Sequence, residues 1–169
     1  MKRLFVLVVL LVVAVDQYTK HLVSTRFLPD ESRIFIPHVL WLTYVQNQHG
    51  AFGLFGSHPL LLAALASVVL ISFFLWYRQE KGGFWTHVAF ALILGGAIGN
   101  IADRIRLGFV VDFFDLRWFP VFNVADSCIT IGVALLLLRM LRQEVKSKAI
   151  VHTANPEAVV QEANPEAVE

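Results

Sequence analysis

Two runs of this chain, Pro59 to Tyr77 and Phe84 to Ala102, contain no Asp, Glu, Lys or Arg. At about 1.5 Å of rise per residue, a helix over either run can cross a hydrocarbon core about 30 Å thick. The composition agrees with a membrane-embedded chain: 57% of the 169 residues are hydrophobic and 16% charged, where soluble domains have about 45–50% and about 25%. A mean hydropathy of +0.64 also excludes a disordered chain. The formal net charge of +1 leaves no basic field of the kind that grips nucleic acid, so no nucleic-acid partner is expected. The one cysteine, Cys128, can form neither an intrachain disulfide nor a cysteine cluster for zinc.

Two further apolar stretches flank these runs, Leu4 to Val15 and a last one from about Phe119 to Leu138. The first follows Met1-Lys2-Arg3 like a signal peptide, but no clear small-residue cleavage site follows it, so it reads as a retained span. Leu4 to Val15 and Ser127 to Leu138 each supply only about 18 Å of uncharged helix. To cross, the first must draw in Asp16 and the last Asp126, which fall toward the same membrane face in a four-span threading. Lys2, Arg3, Arg78, Lys81, Arg139, Arg142, Lys146 and Lys148 fall on the other face, which the positive-inside rule makes cytoplasmic. Both termini are therefore expected in the cytoplasm.

The expected fold is an all-α membrane protein of four transmembrane helices, with a small extracytoplasmic β-rich segment and a disordered cytoplasmic tail. The membrane domain covers 1–148, including an outer loop at 20–58. Within that loop the segment 33–45 is rich in Ile, Phe, Val, Trp, Thr and Tyr and reads as β-structure, with Pro37 marking an edge or a break. Such an apolar sheet would rest on the bilayer surface, with Trp41 and Tyr44 suited to the interfacial zone. After Lys148 the composition shifts and Ala154 to Val159 recurs as Ala163 to Val168, so 149–169 reads as a solvated tail.

Ionisable groups at membrane depth are costly and tend to mark a functional path. Asp16 and Lys20, at i and i+4, suit a mutual pair that braces the end of the first helix. Gly95 and Gly99 share a face on which a second helix can approach closely. Asn100, Asp103 and Arg104 follow on one side of that helix end, where Asp103 with Arg104 suits a capping and salt-bridge cluster as well as it suits catalysis. Asp112 then stands among bulky apolar residues with no adjacent cation, and Asn123 and Asp126 open the last span on a shared face.

Two carboxylates thus converge on the outer mouth of one bundle. Close together in a poorly solvated place they cannot both ionise easily, so the pair can share a proton. The ionised member can then activate water while the protonated member donates to a scissile carbonyl, with no cofactor or metal. A metal site is the less suited reading, because His38, His49, His58 and His87 are scattered and show no HExxH spacing. No GxSxG surrounds a serine, and Cys128 sits inside an apolar run.

In order along the chain, Asp16-Gln17-Tyr18-Thr19-Lys20, Asn47 with Ala51-Phe52-Gly53, Gly95 through Arg104, Val110-Val111-Asp112-Phe113 and Phe122 through Ser127 resemble the motifs of bacterial lipoprotein signal peptidases, the type II signal peptidases. The resemblance runs from about Asp16 to Thr130. It implies an aspartic endopeptidase, multi-pass in the bacterial cytoplasmic (inner) membrane, with its active site toward the outer face. Its substrate would be a prolipoprotein, cut before a cysteine carrying diacylglycerol; its other partners would be membrane lipids, and it would act as a monomer. The resemblance makes Asp112 and Asp126 the catalytic dyad. Asn47, Asn100, Arg104 and Asn123 match positions that line or support the site, and Asp16, Lys20 and Asp103 match structural ones.

One residue departs from the family block: His49 stands where Gly is usual, which would crowd the loop if a positive φ or a close substrate is needed there. The segment 33–45 together with 51–55 suits a lid over the substrate lipid, with Trp41 and Phe52 as its large side chains. Two rival functions use the same residues differently. A transporter or channel subunit would move protons or cations through Asp112 and Asp126, and an assembly factor would need only the glycine face.

Overall fold

A computed structural model of the chain describes residues 2–48, 61, 64–68, 71, 72, 75 and 83–154. The first apolar run opens helix α1 (Lys2–Arg26), which continues well past Asp16. Two strands follow, β1 (Ser32–Ile36) and β2 (Leu40–Asn47). Helix α2 (Phe84–Leu107) leads into strand β3 (Val110–Asp115), and helix α3 (Val124–Ala154) closes the order. Among the described residues three helices are long and apolar enough to cross a membrane, at Arg3–Arg26, Phe84–Leu107 and Val124–Val145. The expected span Pro59 to Tyr77 lies largely outside the described residues, although those described within it are helical.

Helix α2 packs against both α1 and α3, and its small residues decide how closely. A Cβ on Gly95 would lie 2.8 Å from the Cβ of Val12 in α1, and one on Gly96 would meet the carbonyl oxygen of Ala125 in α3. The glycine face expected from the sequence therefore meets α1, while Gly96 admits α3 on the other side. Ala89, Phe90, Ile93 and Leu136 form an apolar cluster between α2 and α3. Helix α2 stops at Gly108, whose φ of 80° and N–H bond to the Arg104 carbonyl, at 3.2 Å, turn the chain directly into β3.

The strands form one antiparallel sheet in the order β1-β2-β3. The β-structure expected at 33–45 is present as β1 and most of β2, with Pro37 in the turn that breaks it. Strand β3 was not foreseen, although Val110-Val111-Asp112-Phe113-Phe114 has the β-branched and aromatic content of a strand. Val23 at the end of α1 packs with Tyr44, Val111 and Phe113 to anchor the sheet on the helices.

Several expectations are corrected here. Tyr44 is buried in that core, not placed at an interface, because β2 is the central strand and carries it inward against Val23. Trp41, by contrast, stays partly exposed, with the guanidinium of Arg117 4.7 Å from its ring centroid. Of the expected lid, 33–36 and 40–45 belong to β1 and β2 of the sheet, whereas 51–55 lies outside the described residues. Asp16 and Lys20 sit inside α1, with further turns beyond them, so they brace its middle against other helices. Helix α3 begins at Val124 and runs to Ala154, past the composition change at Lys148. The residues after Ala154 lie outside the described ones.

Candidate active site

Asp112 is placed by strand register. Asn47 stands opposite Val110 across β2 and β3, which makes Asp112 its diagonal neighbour on the same sheet face. The Asn47 amide accordingly donates from Nδ2 to Asp112 Oδ2 at 2.8 Å. After β3 the carboxylate of Asp115 catches the N–H of Arg117 at 2.7 Å and starts a reversal. The chain then returns to pair Phe122 with Phe114, through Phe114 N–H to Phe122 O at 2.7 Å and Phe122 N–H to Phe114 O at 3.1 Å. That return sets Asn123 beside Asp112.

Asn123 is the N-cap of α3. Its Oδ1 accepts the N–H of Asp126 at 2.9 Å, and Asp126 Oδ2 accepts the N–H of Asn123 at 3.2 Å. This reciprocal pair is a capping box, with Asp in the place usually taken by Glu or Gln. The cap leaves Asn123 Nδ2 free to turn inward, where it donates to Asp112 Oδ1 at 2.7 Å and to Asn100 Oδ1 at 3.1 Å. Asn100 Nδ2 in turn donates to Asp126 Oδ1 at 2.8 Å. The two aspartates are thus joined by two asparagine amides, and each of their four oxygens accepts an N–H.

Behind this pair lies a buried ionic cluster. Lys20 Nζ reaches Asp16 Oδ2 and Asp103 Oδ2, both at 2.9 Å, and Asn100 Oδ1 at 2.8 Å. Asp16 Oδ1 accepts the N–H of Ala125 at 2.9 Å, so a side chain of α1 satisfies a first-turn amide of α3. Asp103 Oδ2 accepts the Val111 N–H at 3.3 Å and so ties α2 to β3. Gln17 completes the cluster by donating to Asp103 Oδ1 at 2.9 Å and to Asp16 Oδ2 at 3.2 Å. Its role was missed from sequence, where an amide on a helix carries no signal of its own.

The expected Asp103 with Arg104 cluster is not what forms. Asp103 turns to Lys20 and Gln17, whereas Arg104 lines the cavity with Asn100, Asp112 and Asp126. Both cavity carboxylates act electrostatically on its guanidinium, and its Nε is buried without a hydrogen-bond partner among the described residues. The separation follows from helix geometry, since adjacent residues on a helix are about 100° apart and do not face each other, so Asp103 and Arg104 meet different neighbours.

The cavity measures about 590 Å³, and Asn47 belongs to its polar lining. Trp118, Phe119 and Ile131 contribute apolar walls. Asp112 is almost fully buried and Asp126 less so. Burial pushes the Asp112 carboxyl up to about 7, helped by the charge of Asp126 and opposed by the amides of Asn47 and Asn123 and the charge of Lys20. A carboxyl that holds its proton near neutrality, next to a second carboxylate and an open cavity, can serve as an acid while its neighbour serves as a base. His87 is at the far end of α2 and His38 in the turn between β1 and β2, so neither adds a ligand; His49 and His58 lie outside the described residues.

A family model described as signal peptidase (SPase) II matches residues 8–142. A lipoprotein signal peptidase of Halothermothrix orenii is 43% identical over 138 residues, which cover 82% of this chain and 95% of the relative. The corresponding protein of Streptococcus pneumoniae is 38% identical over 148 residues, covering 85% and 96%. A solved structure described as a bacterial membrane enzyme superposes with a TM-score of 0.78 at 32% identity, over 83% of this chain and 88% of that one.

Proposed function

The chain belongs to the signal peptidase II family, and from that premise we propose that it removes signal peptides from diacylglyceryl-modified prolipoproteins by a two-aspartate mechanism. Cleavage falls before the lipid-bearing cysteine, at the outer face of the bacterial cytoplasmic membrane. The chain threads that membrane four times, Pro59 to Tyr77 supplying the fourth span, and both termini are cytoplasmic. The domain limits follow: 1–148 is the peptidase and the repeated tail has no part in catalysis.

The observation that carries the mechanism is the pairing of Asp112 with Asp126 through Asn123 and Asn100 at an open cavity. Asp126, at the N-terminal turn of α3 and less buried, takes a proton from water as the water oxygen attacks the scissile carbonyl. Asp112, protonated near neutral pH, donates to the carbonyl oxygen as the tetrahedral intermediate forms. Collapse of the intermediate breaks the C–N bond as the hydroxyl returns its proton to Asp112, and the proton held at Asp126 passes to the departing amine. Arg104 and Asn47 hold the carbonyl side of the site. Asp16, Lys20 and Asp103 keep the three helices in register. Apolar Trp118, Phe119 and Ile131 suit a substrate that is itself lipid-like.

The test is cleavage of a modified prolipoprotein by the detergent-solubilised chain and its Asp112→Asn and Asp126→Asn variants. Loss of cleavage in both, with folding retained, supports the dyad; substantial activity in either removes that residue from the chemistry.

A further inference from the structure

We propose that Lys20 is a positioning residue for Asp126, acting through the side-chain amide of Asn100; this deepens the two-aspartate reading and rests on it. An asparagine amide is nearly symmetric in shape and can present either its oxygen or its nitrogen to a neighbour. Asn100 lies between an ammonium and a carboxylate, so its orientation decides whether Asp126 meets a donor or another oxygen. Lys20 settles it. An ammonium has donors only, so the contact of Lys20 Nζ with Asn100 Oδ1 at 2.8 Å fixes the oxygen on that side. Nδ2 is then left facing Asp126 Oδ1, also at 2.8 Å.

Lys20 cannot swing away. Its other two N–H groups are taken by Asp16 Oδ2 and Asp103 Oδ2, and its side chain is 3% exposed, so no water stands ready to replace Asn100. The same Asn100 oxygen also accepts from Asn123 Nδ2, which donates as well to Asp112 Oδ1 and, at 3.4 Å, to the Val111 carbonyl. Fixing one amide therefore sets the hydrogen-bond polarity between the two carboxylates. The groups facing Asp126 are the Asn100 and Asn123 donors, with Arg104 and Asp112 acting through charge. Without Lys20 the Asn100 oxygen keeps only the longer, uncharged bond from Asn123 Nδ2 at 3.1 Å, a donor shared with Asp112 Oδ1, so Asn100 is freer to flip, set an oxygen against Asp126 and misplace the carboxylate that must meet water.

The experiment measures kcat, KM and thermal stability of the purified full chain in detergent on a diacylglyceryl-modified prolipoprotein. The set is Lys20→Met, Asn100→Ala and the double variant, with Lys20→Arg as the conservative replacement. Each single apolar variant should lose about ten- to a hundredfold in kcat, the size of one charge-assisted hydrogen bond, with KM little changed. The double variant should be no worse than the poorer single one, and Lys20→Arg should recover part of kcat. Multiplying losses, or a lowered Tm with wild-type kcat per folded molecule, would overturn the proposal. If Lys20→Met does not fold, it is combined with Asp103→Asn, which restores the local net charge; the same kcat loss is expected, and a chain that still needs Lys20 to fold overturns the positioning role. Asp112→Asn and Asp126→Asn run in parallel. Activity in either defeats the two-aspartate reading, whereas their inactivity beside a fully active Lys20→Met defeats only the inference about Lys20.

Discussion

Gly99→Ala should destabilise the protein, although in a helix interior alanine is favoured over glycine by about 0.5–1 kcal/mol. A Cβ at Gly99 would be driven onto Asp16 Oδ2, the oxygen that holds Lys20. Asp16 cannot yield without also loosening Oδ1 from the Ala125 N–H, because α1 is packed against α2 and the side chain is fully buried. Breaking a buried ion pair costs about 3–5 kcal/mol. Subtracting the helix gain leaves a net loss of about 2–4.5 kcal/mol. The assay is reversible denaturant unfolding in mixed micelles followed by tryptophan fluorescence. Gly83→Ala is the control: a Cβ there meets nothing within 4 Å, and because Gly83 is the N-cap of α2 the change should cost no more than about 1 kcal/mol. A Gly99→Ala variant as stable as wild type would refute the claim that this glycine exists to house a carboxylate.

Further outcomes follow from the site. Asp112 is raised to about 7 from an unfolded value of 3.8, so the native state retains a proton that the unfolded chain has released. Its contribution to stability is therefore full below about pH 4 and is lost as pH rises through about 7; unfolding free energies across that range should show a fall that Asp112→Asn abolishes. If protonated Asp112 is the acid, kcat should decline above about pH 7, and Asn47→Ala, which removes a donor favouring the ionised form, should move that decline to higher pH. Arg117→Ala removes the stack on Trp41 and the Arg117 Nη2 bond to Ser32 Oγ at 2.8 Å, and should cost about 1 kcal/mol in the same unfolding assay without abolishing cleavage.

The helices were legible because charge-free runs and isolated polar residues are local signals. So was the β-character of 33–45, with its break at Pro37. Partner choice was not legible. Asp103 precedes Arg104 in sequence, yet it pairs with Lys20 because α1 comes close enough at Gly99 to bring an ammonium within reach. Tyr44 resembles an interfacial residue until β3 is known to flank β2 and carry the ring inward. The capping box was present in Asn123-Val124-Ala125-Asp126 as spacing, but its consequence, that the cap turns Asn123 Nδ2 toward Asp112, needs the return of Phe122 to β3. The resemblance named these residues; the geometry shows how Asp112 and Asp126 come to line one cavity.

The most direct test of the central claim is cleavage of a diacylglyceryl-modified prolipoprotein with chelator present, comparing wild type with Asp112→Asn and Asp126→Asn at equal folded concentration. The account predicts chelator-resistant cleavage by wild type and none by either variant. Cleavage by either variant at a rate near wild type, or its loss on chelation, would contradict it.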